Sequence, residues 1–339
     1  MDEKIEYMPL VDLHLHIDGA IGAEKAYEII KRDNVDVGYE INSIDDLKKH
    51  LSVSDDCKSL NEFLEKFDVP TKLMQTKEHI AEIVEDLIVR LSYDKVIYAE
   101  LRYAPMLHTK EGLSMDEVMD SVLLGYDNAM KKVDSIKIKF ILCMMRGASI
   151  DENRDTIVLA SKYLDKGVGG IDLAGAEALY PTSDYKELFE FAKERHIPFT
   201  IHAGEAAGAD SVKCAIDFGT SRIGHGIAIK DDTKVYNEIK DKNILLEVCP
   251  TSNLKTKTID DIKDHPIKKF IDDNLNVCIN TDDMTVQNST LRDEYYILKN
   301  VFNVSYQDMI KLNVNAVKSS FMNDEDKLKY IKLLESYLN

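Results

Sequence analysis

Short apolar runs recur along the chain. Each closes in a polar or charged cluster, and most are followed by a stretch in which apolar residues return every three to four positions. The runs are Met8 to Ile17, Val96 to Tyr103, Ile136 to Met145, Gly170 to Leu173, Pro198 to His202, Arg222 to Ile223 with the Gly224-His225-Gly226 that follows, Ile244 to Val248, and Val277 to Asn280. Most are brief, β-branched and apolar on both faces, the pattern of strands buried in a parallel sheet. The stretches Met115 to Val133, Asn153 to Lys166, Asp184 to Arg195, Asp232 to Lys242 and Asp264 to Asn274 have the spacing of amphipathic helices. Alternation of this kind predicts a parallel α/β fold, and eight strands favour a closed (β/α)₈ TIM barrel over an open sheet. Residues 21–95 hold several helical stretches, too many for a simple crossover, and are expected to form a helical cap after the first strand. Three further helices are expected after the last strand, at Leu291 to Asn300, Tyr306 to Asn315 and Asp324 to Tyr337. No repeat or linker interrupts the pattern, so residues 1–339 are expected to form a single barrel domain.

Composition narrows the partners. The 339 residues carry a formal charge of -18, with 44% hydrophobic and 31% charged residues. Phosphate backbones need a basic face, so nucleic acid is not an expected partner. No apolar run approaches a membrane span, and the first residues lack the basic start of a signal peptide. The five cysteines form no CxxC pair and read as free thiols in a reducing compartment. A cytoplasmic protein is expected, with no membrane contact and no protein partner implied.

The run ends hold the candidate chemistry. His14 and His16 are two residues apart, so on a strand both imidazoles face one side. Such a pair can also be two ordinary polar contacts. His202 is followed by Ala203-Gly204-Glu205, which puts a carboxylate within reach of whatever the histidine holds, although a lone histidine is commonly a core residue. Asp282 and Asp283 close the last run; they suit a turn or helix cap, or a metal ligand beside a second acid. Together these ends suit a borderline metal ion with an open position, which generates hydroxide from water near neutral pH. His225, between two glycines, is either an incidental turn residue or an imidazole acting on that water. His50, His79, His108, His196 and His265 sit in charged or helical surroundings and read as structural or surface residues. Leu60, Phe63, Leu64 and Phe67 have the spacing of a buried helical stripe. The glycines near 167–175 form no dinucleotide or ATP motif.

Strings spread over most of the chain carry a resemblance. They are HLHIDGA at 14–20, SLNEFLEKFD at 59–68, AELRYAP at 99–105, GIDLAGAE at 170–177, HAGEAAG at 202–208, RIGHG at 222–226, EVCPTSN at 247–253, NTDD at 280–283 and VNAVKSSF at 314–321. With these strings the chain closely resembles the adenosine deaminases, among metal-dependent hydrolases of barrel fold. The resemblance implies one zinc ion per chain, Zn²⁺ held by His14, His16, His202 and Asp282. It implies that Glu205 donates a proton to purine N1, that His225 orients and helps deprotonate the attacking water, and that Asp283 bonds the nucleophile and purine N7. It further implies that the Gly175 N–H binds N3, that His16 and Asp18 contact the substrate, with Asp18 on the ribose 5′-hydroxyl, and that Leu60, Phe63 and Phe67 gate the pocket. The implied reaction is hydrolysis of adenosine, and of 2′-deoxyadenosine, to inosine or 2′-deoxyinosine and ammonia, in purine salvage. Another 6-aminopurine, such as adenine or an aminofutalosine, is the alternative. The adenine branch usually carries Glu where Asp18 stands, and a carboxylate there repels a 5′-phosphate, so a purine nucleoside is the favoured small-molecule partner. Ala176 and Met284 depart from the residues common in relatives, at positions that supply no ligand and no proton.

Overall fold

The computed structural model describes residues 3–54, 57 and 59–338, with only the backbone at Leu60 and Asn61. Eight strands run through it: β1 (Leu10–His16), β2 (Val96–Tyr103), β3 (Lys137–Met145), β4 (Val168–Ala174), β5 (Ile201–Ala203), β6 (Arg222–His225), β7 (Leu245–Val248) and β8 (Val277–Ile279). All eight lie where the apolar runs predict them. Neighbours pair in parallel as β1-β2-β3-β4 and β5-β6-β7-β8. Single parallel bridges join the two sets at both seams, Ile171 with Phe199 and Leu15 with Asp282. The strands therefore form one ring, a (β/α)₈ barrel with helices outside.

The β1–β8 seam has few ladder bonds, and side chains supply the partners that the backbone lacks. Asn313 Oδ1 accepts from the Val11 N–H at 2.8 Å, and Asn280 Oδ1 from the Leu13 N–H at 2.9 Å. Asp12 Oδ2 accepts from the Thr281 hydroxyl at 2.5 Å and its N–H at 3.2 Å. A buried N–H without an acceptor costs about 1–3 kcal/mol, which accounts for polar side chains at this joint.

Outside the ring, helix starts carry their own caps. Ser114 and Ser149 each accept from the third helical N–H, and Glu117 and Glu152 return a bond to the cap backbone. Helices Leu291–Asn300, Tyr306–Ser319 and Asp324–Glu335 follow β8, as the periodicity predicts. The segment expected as a cap divides in two. Its last helix, Lys77–Tyr93, buries Ile80, Ile83, Val84, Leu87, Ile88 and Leu91 in the main apolar cluster and serves as the crossover into β2. The shorter helices before it also contribute to that cluster, through Ile29, Leu47 and Leu73 among others.

The barrel interior differs from the expectation of strands apolar on both faces. Arg102 on β2 reaches Asp172 on β4 at 2.7 Å and Glu247 on β7 at 2.8 Å. Arg222 on β6 meets Glu247 at 2.7 Å and Glu100 on β2 at 2.6 Å. All five side chains are fully buried. Strands that are not neighbours meet here, so the inner face carries a paired layer of charge. Unpaired, each group would be prohibitively costly to bury.

Candidate active site and metal centre

The charged layer is the floor of a site built at the C-terminal ends of the strands. His14 and His16 come from β1, His202 from β5 and His225 from β6, while Asp282 follows β8. His14 Nε2 lies 3.0 Å from His202 Nε2, and His16 Nε2 lies 3.4 Å from the same atom. Asp282 Oδ1 is 3.4 Å from His14 Nε2 and 3.5 Å from His16 Nε2. A tetrahedral ion with bonds of about 2.0–2.1 Å requires ligand atoms about 3.3–3.4 Å apart.

The outer ring nitrogens settle what these atoms present. His14 Nδ1 is 2.8 Å from Glu247 Oε2. His202 Nδ1 is 2.7 Å from Asp172 Oδ2, off the line of an ideal hydrogen bond. A carboxylate beside Nδ1 holds the proton there, which leaves the lone pair on Nε2. Two imidazole lone pairs then face each other at 3.0 Å beside an aspartate. A proton on His14, whose affinity for it is lowered by burial and Arg102 but raised on balance by Asp282 and Glu247, or a metal cation in its place makes that arrangement favourable, and the donor set fits a metal ion. Arg102 ties both orienting carboxylates together from below, and Thr200 and Arg222 hold the other oxygen of Glu247.

The donor atoms that all fall within 4.8 Å of one another are those of His14, His202, His225 and Asp282, with His225 in the group and His16 outside it. His225 differs from His16 in two respects. It faces the other oxygen of Asp282, Oδ2, at 3.8 Å. Its protonation is also fixed from behind. The Ile267 N–H donates to His265 Nδ1 at 3.0 Å, so His265 carries its proton on Nε2 and donates to Asn253 Oδ1 at 3.2 Å. The Asn253 amide then donates to His225 Nδ1 at 3.2 Å. Neutral His225 therefore carries its proton on Nε2, which faces Glu205 Oε2 at 3.5 Å.

Acidity follows burial. The Glu205 carboxyl is pushed up to about 8, first by burial, then by the negative charges of Asp282 and Glu177. Asp283 is raised well above the carboxylate range by burial and by Asp282, and its Oδ1 is buried without a partner. Asp18 is raised to about 6 by burial. For Asp282, burial acts upward but is outweighed by the His14 contact and the neighbouring imidazoles, which hold it well below its ordinary value. His16 and His225 are held well below theirs, chiefly by burial, and stay neutral near pH 7. Both Asp282 and His225 have left-handed backbone, with φ of 70° and 61°, a strain that aims their side chains inward. Gly19 makes room for the acid pair: a Cβ there would lie 1.8 Å from Asp283 Oδ1.

These groups open on a cavity of about 340 Å³, lined also by Asp18, Gly175, Phe63, Leu64 and Phe67. The structure thus gathers His16, Asp18, Gly175, His202, Glu205, His225, Asp282 and Asp283 around one space, with His14 outside the lining and against His202. The side chain of Leu60 lies outside the described residues. The spacing of 60–67 suggested a buried stripe, and Phe63 is buried against Val53, Cys57 and Val286 while also lining the cavity. His265, read from its surroundings as structural or surface, is buried and joined to His225 through Asn253. Cys143 and Met145 on the cavity wall, and Ser252 with a buried unpartnered hydroxyl, had no chemical signature in the sequence. All five cysteines are free, four of them buried.

The family model for adenosine deaminase matches residues 9–337. The chain is 40% identical to an adenosine deaminase of Haemophilus ducreyi over 94% of this chain and 93% of that protein. It is also 40% identical to one of Clostridium botulinum, over 98% and 97% respectively. Among solved structures it is similar to an adenine deaminase of Arthrobacter aurescens, with TM-score 0.87 and 26% identity over 98% of this chain and 99% of that one. An N6-methyl-AMP deaminase of Arabidopsis thaliana gives a TM-score of 0.86 at 25% identity over 98% of both chains. Among the described residues, no helix is long and apolar enough to cross a membrane.

Proposed function

The chain belongs to the adenosine deaminase family, and from that premise we propose that its site hydrolyses adenosine to inosine and ammonia with the help of one zinc ion. The observation that carries this reading is a converging set of nitrogen and oxygen acceptors beside a carboxyl that stays protonated near neutral pH. His14, His16, His202 and Asp282 are the proposed ligands, because His14 and His16 share one oxygen of Asp282 while His225 keeps its Nε2 proton. Bound there, the ion supplies the Lewis acidity that lets water act as a nucleophile near pH 7.

The side chains do the rest. Glu205, protonated at neutral pH, donates to purine N1 and makes C6 electrophilic. Asp283, whose Oδ1 is buried without a partner, is the proposed acceptor for a proton of the attacking water; it would be free to take that proton once a bound cation offsets the burial and the neighbouring acids that otherwise keep it protonated. Neutral His225 offers an N–H and orients that water; with its proton already on Nε2 it is poorly placed to take another. Water adds at C6; one of its protons passes by way of Asp283 to the amino nitrogen, which leaves as ammonia, the other returns to Glu205 as the C6 carbonyl forms, and N1 keeps the donated proton. The Gly175 N–H is assigned to purine N3 and the 63–67 wall to the ribose side.

Asp18 supports a nucleoside as substrate. Its carboxyl is buried, lines the cavity, and accepts one hydrogen bond, from the Gly19 N–H at 3.2 Å. That leaves acceptor capacity for a neutral 5′-hydroxyl, which adenine lacks and AMP replaces with like charge. The test is ammonia release from a panel of adenosine, 2′-deoxyadenosine, adenine, AMP and an aminofutalosine, with metal content measured in parallel. Adenosine should lead adenine and AMP by at least about 10²-fold in kcat/KM. Preference for a base or a nucleotide would overturn the substrate assignment. Full activity after complete chelation would overturn the metal.

A further inference from the structure

Glu177 is buried two residues beyond Gly175, and it lies outside the cavity lining. Four consecutive backbone N–H groups converge on its carboxylate. Gly204 donates to Oε1 at 2.7 Å; Glu205, Ala206 and Ala207 donate to Oε2 at 3.0, 2.8 and 3.1 Å. The Ser211 hydroxyl is a fifth donor, to Oε1. Ser211 in turn meets the Thr182 hydroxyl at 2.7 Å, and Thr182 accepts from Arg146 Nη2 at 2.9 Å. Arg146 also donates to the carbonyl of His202 at 2.7 Å. One connected network therefore grips both ends of the segment from His202 to Ala207.

We propose that Glu177 is the positioning residue for Glu205, a carboxylate clamp that fixes the loop bearing the acid and so sets where its proton is delivered. The proposal rests on Glu205 being the acid. The loop needs such a clamp, because Gly204 has left-handed backbone at φ 73° and the chain turns sharply there before helix Ala209–Asp217. No strand or helix ladder takes these N–H groups, and Glu177 accepts all four. The candidate acid's side chain meets the Thr256 hydroxyl and, more loosely, His225 at 3.5 Å. Both contacts require the loop to be in place, and its backbone is held by Glu177. The negative charge of Glu177 acts in the same direction on the proton itself, favouring protonated Glu205 after burial and Asp282.

Glutamine is the informative replacement. It keeps the shape, but its NH₂ must face either the Gly204 and Ser211 donors or the other three, donor against donor. The experiment is a double-mutant cycle on the metal-loaded, full-length protein: wild type, Glu177→Gln, Glu205→Gln and both together. Each is read by kcat and KM for adenosine and by metal content. Glu177→Gln should lower kcat by about 10- to 10²-fold, the range for a misplaced catalytic group, with KM changed less than about threefold. Metal content should match wild type. In the Glu205→Gln background the same change should cost less than about twofold, since the group it positions is already gone. Penalties that multiply would overturn the proposal, because Glu177 would then act by another route. Loss of metal in Glu177→Gln would also overturn it, making Glu177 a support for the His202 strand. If that variant fails to fold, Ser211→Ala removes one donor and leaves the four backbone bonds. It should lower kcat by about threefold, and only when Glu205 is intact; an unchanged rate would overturn the clamp. Wild-type turnover in Glu205→Gln alone would instead remove the acid assignment, and the clamp with it.

Discussion

Replacing Glu205 by glutamine should stabilise the protein while silencing it, by an amount that depends on pH. The folded carboxyl titrates at about 8 against 4.5 for an ordinary glutamate. The native state therefore holds the proton more tightly than the unfolded chain does. For a pKa raised on folding, the linked stability is fully present below the unfolded value and is lost as pH rises to the folded one. The cost of keeping Glu205 is thus near zero below pH 4.5, grows from there to pH 8, and then levels off. At pH 7 the unfolded chain has ionised over about 2.5 units of pH, which converts to roughly 3 kcal/mol. At pH 5 the same reasoning gives less than about 1 kcal/mol. Glutamine is neutral throughout and escapes the cost. The assay is urea denaturation of metal-stripped wild type and variant between pH 5 and 9, where no bound cation offsets the acid cluster. The two should nearly coincide at pH 5, separate by roughly 3 kcal/mol at pH 7, and separate further by pH 9. A difference that does not change with pH would refute the reasoning, because Glu205 would then ionise like an exposed residue. With metal restored, the variant should lose at least about 10²-fold in kcat.

Three further outcomes follow from the geometry. Asp18→Ala should lower kcat/KM for adenosine by about 10- to 10²-fold and affect 5′-deoxyadenosine much less; equal losses would mean that Asp18 supports the metal-bearing strand. Glu247→Gln should weaken metal binding by about 10- to 10²-fold in competition with a chelator, since it removes the carboxylate that orients His14, and unchanged affinity would remove that role. Gly19→Ala should keep the metal and lose about 10²-fold in kcat, because the new methyl occupies the place of Asp283 Oδ1; a normal rate would show that Asp283 can move at no cost.

The sequence and the structure agree most closely where chemistry and periodicity coincide. The strands β2 and β3 were legible because they are long and apolar, and the pair His14 and His16 because alternation on a strand leaves little choice of direction. Closure of the barrel was not readable from counting runs; it depends on single bridges and on Asn280, Asn313 and Asp12, whose polar side chains look like interruptions. The inner charged layer was missed for a related reason. Glu100, Arg102, Asp172, Arg222 and Glu247 are isolated in sequence, and only the closed ring pairs them. Glu177 and Asn253 fell within strings that carried the resemblance, yet neither side chain is a metal ligand or a proton donor to substrate. Their work is done on backbone N–H groups and on one ring nitrogen, which leave no trace in residue type.

The seam between β1 and β8 has a meaning for how the protein is made. Asp282 exchanges backbone bonds with His14 and His16 on both sides of the bridge, at 2.7 and 2.8 Å. Proposed metal ligands far apart in the chain are thus stitched together by the last joint of the ring. A nascent chain still held at the ribosome before residue 282 has two histidines of the set on its first strand and a third on its fifth, but nothing to bring them into register. Contacts this distant in sequence form late, because a long loop must close before they are rewarded. Metal capture therefore reports completion of the fold. A fragment lacking the final strand would be a poor scavenger of the proposed metal, and a chelator would act at the closing joint of the barrel.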